Sequence, residues 1–506
     1  MSEKEAASSN WPFQHRRCSG LLLHPTSLPG ELSAGDMGHN AYRFIEFLAA
    51  SGIRIWQMLP LGPTHEDGSP YQCLSVHAGN PLLISLDWLV DRGWLHKPRY
   101  PANANTHTSE TYRLDCLRQA RAGFETATDT TTRQAYATFQ AEHAHWLEDY
   151  ALYIALRREQ NQQAWWDWPA EERDRNPAAL QKAKQRLTQD IAQVLFEQFV
   201  FFSQWHELKN YAHQHDVALF GDVPIFVAHD SAEVWAQREY FSVDAHGKAQ
   251  TVAGVPPDYF SETGQYWGNP QYRWDRLQED GFTWWIERLR TQLALFDLLR
   301  IDHFRGFEAF WEIPAGAETA IEGHWVKAPG EALLQTLHAA FQHLPLVAED
   351  LGIITPEVEQ LRQAFKLPGM KILHFAFDGN ADNPYLPHNH QTHSVVYTGT
   401  HDNDTSLSWY HGLSLDERQR LRDYLGFDIE SSMPWPLIRC ALASVADTAI
   451  LPMQDVLGLG EGNRMNLPGT IDNNWRWRFQ WAQLPTTLAA QLHHLNVLYG
   501  RCEHAG

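Results

Sequence analysis

Cysteine is scarce in this chain. Its 506 residues include five (Cys18, Cys73, Cys116, Cys440, Cys502), an odd number with no CxxC spacing. A disulfide framework and a paired-cysteine zinc site are therefore excluded as readings, and reduced thiols are expected. Long apolar runs are also missing. No stretch approaches the roughly 18 residues that a spanning helix requires, and the N-terminal MSEKEAASSN has no apolar core of a secretion signal, so a cytoplasmic protein is expected. Positive charge is in deficit: 40 Lys and Arg against 61 Asp and Glu leave a formal charge of −21. That balance repels phosphate backbones and anionic lipids, so neither nucleic acid nor membrane is an expected partner and neutral ligands are the default. For most of these acids solubility is reason enough. GLGEG at 458–462 lacks the GxGxxG spacing of a nucleotide loop, and there is no HExxH. The pairs His143/His145 and His388/His390 fall in expected helix or loop, so no metal and no cofactor is called for.

What the chain does have is four apolar runs that each end in a carboxylate: ALFGDVPI with Asp222, LLRIDHFRG with Asp302, LVAEDLG with Glu349 and VVYTGTHDND with Asp402. Short continuous apolar runs fit parallel strands buried on both faces, and a barrel of such strands places its chemistry where they end. Eight strand candidates occur in order, near 19–24, 53–61, 217–225, 298–302, 346–349, 371–377, 394–400 and 449–453. Helical patterns lie between several of them, for example at 41–50 and 331–343. The fold class is α/β, a (β/α)8 TIM barrel read as one catalytic domain over 1–506.

The spacing of the strands is uneven. Residues 62–216 are too many for one crossover and are read as an inserted, mainly helical subdomain. Phe139, Trp146, Tyr150 and Tyr153 fall at helical steps on a helix from about 132 to 159, more often core packing than a ligand platform, and another helix runs from about 177 to 214. A second insertion, 228–283, shows little periodicity but holds Tyr240, Phe241, Tyr259, Phe260, Tyr266, Trp267, Tyr272 and Trp274. Long irregular loops are uncommon unless they bind or cover something, and aromatic rings stack on the CH faces of sugars. Carbohydrate over the cleft and plain packing are both open readings of this loop.

Arg300 and Asp302 stand two apart, so a strand points both to one face, and the guanidinium is expected to favour the ionised acid, as a carboxylate nucleophile needs. An isolated pair of this kind is more often a structural ion pair; the flanking motifs shift that balance. Glu349 follows Leu346-Val347-Ala348 and adjoins Asp350, so burial and like charge both raise its pKa, which suits a general acid. Two carboxyls driven apart in this way form the pair used in glycoside cleavage, and Asp402 offers a third acid to stabilise an oxocarbenium-like transition state.

Nearly end to end, the chain resembles the 4-α-glucanotransferases of the amylomaltase or disproportionating type, family 77 of the glycoside hydrolases in the α-amylase clan. The resemblance is carried by an ordered set: LLLHPTSLPG, WQMLPLGPT, GSPYQ, GDVPIFVAHDSAEVW, VAGVPPDYFSETGQYWGNPQYRW, RIDHFRGFEAFWEIP, VAEDLGIITP, GMKILHFAF, YTGTHDNDT, MQDVLGLGEGNRMNLPG and NNWRWR. It implies that Asp302 is the nucleophile, Glu349 the acid/base and Asp402 the transition-state carboxylate. It implies further that Asp222, Arg300 and His401 hold the sugar in the cleaved subsite, with Tyr71 stacked on its ring. Asp258, Tyr259, Phe260, Gln265 and Trp267 match the substrate-binding loop on the acceptor side. The implied partners are α-1,4-glucans and maltooligosaccharides as donors, with glucose or maltooligosaccharides as acceptors. No C-terminal β domain and no added N-terminal domain are expected. An α-1,4-glucan hydrolase would use the same three acids and is the nearest alternative; a metal-dependent barrel hydrolase is a more distant one. A non-enzymatic glucan-binding protein would need the aromatics but not the acids.

Overall fold

The computed structural model of the chain describes residues 17–101, 105–257, 261–426 and 432–503. Twelve strands occur among the described residues: β1 (Cys18–Leu22), β2 (Ile55–Gln57), β3 (Ala218–Pro224), β4 (Thr251–Val255), β5 (Gln265–Pro270), β6 (Leu298–Asp302), β7 (Ala309–Pro314), β8 (His324–Lys327), β9 (Leu346–Ala348), β10 (Gly369–Ile372), β11 (Ser394–Tyr397) and β12 (Thr448–Pro452). Eight form one parallel sheet in the order β10-β11-β12-β1-β2-β3-β6-β9. Each overlaps one of the apolar runs expected from the sequence. The two ends of the sheet meet at a sparse seam. There the Ala348 N–H donates to the Pro368 carbonyl (2.9 Å), and the Met370 N–H donates to a side chain, Asp350 Oδ1, at 2.6 Å. The molecule is a nearly closed TIM-type barrel.

Period-two alternation divides the core. Inward residues Cys18, Leu22, Ile55, Phe220, Leu298, Val347, Met370, Val395, Tyr397 and Ile450 fill the barrel interior. Outward residues such as Leu21, Leu219, Leu299 and Ile301 pack beneath the surrounding helices. Burying each aliphatic side chain is worth about 1.5–3 kcal/mol relative to exposure. The interior admits little bulk at Gly20, where a Cβ would stand 2.5 Å from Ile450 Cδ1. The helix His39–Ala50 shows how the shell is encoded: Ala41, Phe44, Ile45 and Leu48 repeat at helical spacing and are its buried face.

Between β2 and β3 the structure departs from the expected long helices. The first is two, Thr130–Glu142 and Ala144–Glu159, broken at His143, and the second is also two, Pro177–Arg186 and Thr188–Gln214, broken at Leu187. Neither break has a Gly or Pro to announce it; the first lets the rings of Phe139, His143 and Trp146 all reach Phe202. The expected aromatics are core residues: Phe139, Trp146, Tyr150 and Tyr153 are all buried. Segment 228–283 is less irregular than expected, since it supplies β4 and β5 to a four-stranded antiparallel sheet, order β5-β4-β7-β8. Its other two strands follow Asp302, in a stretch that carries no strand pattern legible beforehand. Among the described residues no helix is long and apolar enough to cross a membrane.

Candidate active site

The barrel register puts Asp222 on β3 directly across from Arg300 on β6. Arg300 Nη1 meets Asp222 Oδ2 at 2.7 Å and Arg300 Nη2 meets Asp302 Oδ1 at 2.8 Å, so one planar guanidinium bridges two strand-end acids. Asp222 Oδ2 also accepts the Tyr71 hydroxyl at 2.7 Å. Asp222 and Arg300 are buried, whereas 29% of the Asp302 side-chain surface faces the cleft. Glu349 stands level with Asp302 on the next strand, its N–H bonded to the Ile301 carbonyl. Its carboxylate accepts main-chain N–H groups from His303 (2.7 Å) and Leu351 (3.1 Å). His303 has φ +57°, a left-handed backbone unusual for a side chain of this size.

The wall opposite is built on the loop after β11. His401 is buried and stacks on Tyr71 with centroids 5.2 Å apart and planes 13° from parallel, while Trp475 leans on both rings. One face of Tyr71 is therefore already covered by His401. Asp402 Oδ1 lies 3.3 Å from His401 Nε2 and accepts the Asn466 side-chain amide at 2.7 Å. Arg464 Nη2 donates to the Asp402 carbonyl, also at 2.7 Å, and the Asn466 N–H to that of His401.

Electrostatics correct one expectation. The sequence suggested that Arg300 lowers the Asp302 pKa; the structure pushes it upward, because removal from water dominates and Asp222, Glu349 and Asp402 add repulsion against the pull of Arg300. Arg300 is also shared, one nitrogen being committed to Asp222. Glu349 is raised as expected, first by burial and in lesser part by Asp350, with Arg300 and the His303 N–H opposing. Burial lowers His401 despite Asp402, keeping the ring neutral at neutral pH. Burial thus pushes the carboxyls of both Asp302 and Glu349 upward.

The aromatic insertion divides between the two readings. Phe241, Tyr272 and Trp274 are buried and pack with Trp284 and Trp285, so for them packing is the answer. Tyr266 is 41% exposed, and half-buried Trp267 sits edge-on to the His303 ring at 4.9 Å, with Gln265 Oε1 accepting its indole N–H. Trp267 is thereby one residue removed from the main-chain donor to Glu349. Asp258, Tyr259 and Phe260 lie outside the described residues.

Arg464, Asn466, Trp475 and the His303 amide were not singled out in the sequence. The first two lie in the MQDVLGLGEGNRMNLPG stretch, where the motif itself was the only signal: a glycine-rich loop has no periodicity to reveal which side chain turns inward. Taken together, the cleft offers a carboxyl beside a cation, a second carboxyl with a raised pKa at the same level, and a third held open by an amide. That is equipment for displacement at a sugar carbon with proton transfer to the departing oxygen.

Comparison with known proteins agrees with this chemistry. A family model described as 4-alpha-glucanotransferase matches residues 23–484. The chain is 50% identical over 486 residues to the 4-alpha-glucanotransferase of Thermus thermophilus, covering 94% of this chain and 97% of the relative. It is 48% identical over 497 residues to that of Synechocystis sp., covering 96% and 98%. Among solved structures, amylomaltase from Streptococcus agalactiae in complex with acarbose aligns with a TM-score of 0.93 at 35% identity, covering 96% of this chain and 100% of that one. By the extent of these matches the chain belongs to glycoside hydrolase family 77, the 4-alpha-glucanotransferases, and is an enzyme of that activity.

Proposed function

We propose that the cluster around Arg300 carries out this transfer by a retaining double displacement, with Asp302 as nucleophile, Glu349 as acid/base and Asp402 as the carboxylate that stabilises the transition state. The carrying observation is the placement of the two carboxyls: Asp302 touches a guanidinium at 2.8 Å, whereas Glu349 is met by two main-chain N–H groups. In this reading the guanidinium, a full cation against two amide dipoles, makes Asp302 the reacting carboxylate, and Glu349 supplies the proton. An Asp302 oxygen bonds to the anomeric carbon as the glycosidic bond breaks, and the Glu349 proton goes to the leaving oxygen. An acceptor hydroxyl then gives its proton to Glu349 and displaces Asp302, restoring the original configuration. Asp222, Arg300, His401 and Tyr71 frame the sugar in the cleaved subsite.

The substrates in this reading are α-1,4-glucans and maltooligosaccharides as donors, with glucose or a maltooligosaccharide as acceptor. Segment 228–283 serves the acceptor, with Asp258, Tyr259, Phe260, Gln265 and Trp267 as its substrate-binding residues, and helical segment 62–216 is a subdomain set into the barrel. The five free thiols suit a reducing compartment such as the cytoplasm.

The test is incubation with pure maltotriose. Glucose should appear and longer chains should grow while the number of reducing ends stays nearly constant; a steady rise without chain growth would make hydrolysis the main reaction. A 5-fluoroglucosyl fluoride should leave a covalent adduct on the peptide bearing Asp302, and an adduct elsewhere would remove Asp302 from the role.

A further inference from the structure

β11 runs into Thr398, and the helix Ser406–Gly412 begins where the next loop ends. Residues 399–405 between them carry His401 and Asp402. Thr398 and Ser406, the two feet of this loop, are fully buried, and one buried carboxylate, Asp455, holds both. Asp455 belongs to the short helix Met453–Val456 after β12. Its Oδ2 accepts the hydroxyls of Thr398 (2.6 Å) and Ser406 (2.6 Å), and its Oδ1 accepts the Ser406 N–H (2.7 Å).

Hydrogen accounting fixes the rest of the chain of bonds. The single Ser406 hydroxyl proton goes to Asp455, so in the 2.9 Å contact between Ser406 Oγ and His374 Nε2 the imidazole is the donor. The other ring nitrogen, Nδ1, then carries a lone pair with no hydrogen-bond partner, as observed. The His374 ring is clamped flat against Trp409 at 4.6 Å and 5°, directly under Gly399, where a Cβ would lie 2.8 Å from its Cε1. The loop is thus pinned at its feet by Asp455 and His374, while Asn466 and Arg464 hold its crest.

We propose that Asp455 is a positioning residue for the transfer reaction: by tying Thr398 to Ser406 it sets the separation of the loop's feet and so the place of Asp402 and His401 in the cleft. The kinetic half of this inference rests on the reading of Asp402 as the transition-state carboxylate; the geometric half does not.

The experiment uses the full-length enzyme with Asp455→Asn, Thr398→Val (which removes one hydroxyl at nearly constant shape) and each combined with Asp402→Asn. Both single variants should remain folded by circular dichroism. On maltotriose kcat should fall about 10- to 100-fold, the scale of a misplacement near 1 Å, with KM little changed. The same factor should apply to α-glucosyl fluoride, because Asp402 serves the sugar carbon and not the leaving group. In the Asp402→Asn background the added loss should nearly vanish. An undiminished loss there, or unchanged kcat per folded molecule in both single variants, would overturn the proposal. Should Asp402→Asn alone retain near-parental activity, the reading of Asp402 fails and the clamp is judged by crystal structures of the two single variants. Displacement of His401 and Asp402 would support it; an unmoved loop would overturn it. If Asp455→Asn does not fold, Thr398→Val carries the same comparisons.

Discussion

Arg300 and Asp302 are next-but-one neighbours on β6, yet the guanidinium that touches Asp302 at 2.8 Å is gripped from its other side by Asp222 at 2.7 Å. The fork therefore fixes the spacing of two acids as well as their charge. A lysine supplies one point charge and cannot span both. Arg300→Lys should lower kcat/KM on maltotriose by about 100-fold or more, since the nucleophile loses its orientation as well as its partner. Initial rates read this directly, and a loss below about threefold would show that the fork is dispensable.

Glu349 has a raised pKa and sits level with Asp302, the position of a group that delivers a proton to the leaving oxygen. Glu349→Ala should lose about 10²–10⁴-fold on maltotriose but far less on α-glucosyl fluoride, whose leaving group hardly needs a proton. The sign of the pH effect follows. Activity with maltotriose should decline on the alkaline side as Glu349 deprotonates, above the usual carboxylate range, and that limb should disappear for the fluoride in Glu349→Ala. Equal impairment on both donors would remove Glu349 from the role.

Trp267 meets the ring of His303 edge-on, and the His303 N–H is bonded to Glu349; in the proposed reading Trp267 serves the acceptor side. An oriented acceptor competes with bulk water because orientation is worth about 7–11 kcal/mol. Trp267→Ala should therefore raise the share of hydrolysis, measured as new reducing ends per glucose released from maltotriose. An unchanged ratio would place acceptor capture elsewhere.

Glu233 lies outside the reacting groups. It is buried, its Oε1 accepts the Ser75 hydroxyl at 2.6 Å, and burial raises its carboxyl from the ordinary 4.5 to about 7 with Ser75 opposing. Between about pH 4.5 and 7 the folded state binds the proton that the unfolded chain has released, so this group's contribution to stability falls as pH rises. Glu233→Gln keeps the acceptor and escapes the charge. Relative to the parent it should gain on the order of 2 kcal/mol across that window and nothing more above it. Calorimetric Tm values at pH 5 and pH 8 compare the two, and a gain that is the same at both would exclude burial of charge as the cause.

The barrel strands were legible in the sequence because both faces of each are buried, and the helix His39–Ala50 because one face of it is. The barrel strands read as apolar runs because interior and helix-facing positions are equally apolar, and the acids that end them stood out for the same reason. β5 could not be read so, since Gln265 and Tyr266 are exposed. The breaks at His143 and Leu187 are set by ring packing across the helices and not by local propensity. At the site, Asp222, Arg300, Asp302, Glu349, His401 and Asp402 are charged or titratable residues that interrupt apolar surroundings. Asn466 is a neutral amide in a glycine-rich loop, and only its 2.7 Å bond to Asp402 reveals it. The Asp302 shift was misjudged because RxD shows the cation but neither the burial that dominates the shift nor the second acid, 78 residues before the arginine, that shares the cation.

At the barrel seam the Met370 N–H is met by the carboxylate of Asp350, the residue next to Glu349, where a strand carbonyl would ordinarily stand. Beside the one main-chain bond from Ala348 to Pro368, the seam is thus fastened by a side chain, and a side chain, unlike a main-chain ladder, can be resized by one codon. One more methylene at position 350 would pry the clasp apart while every strand pairing stayed intact, and Glu349 would ride with it. A change at position 350 therefore reaches the closure of the wall and the neighbouring Glu349 at once.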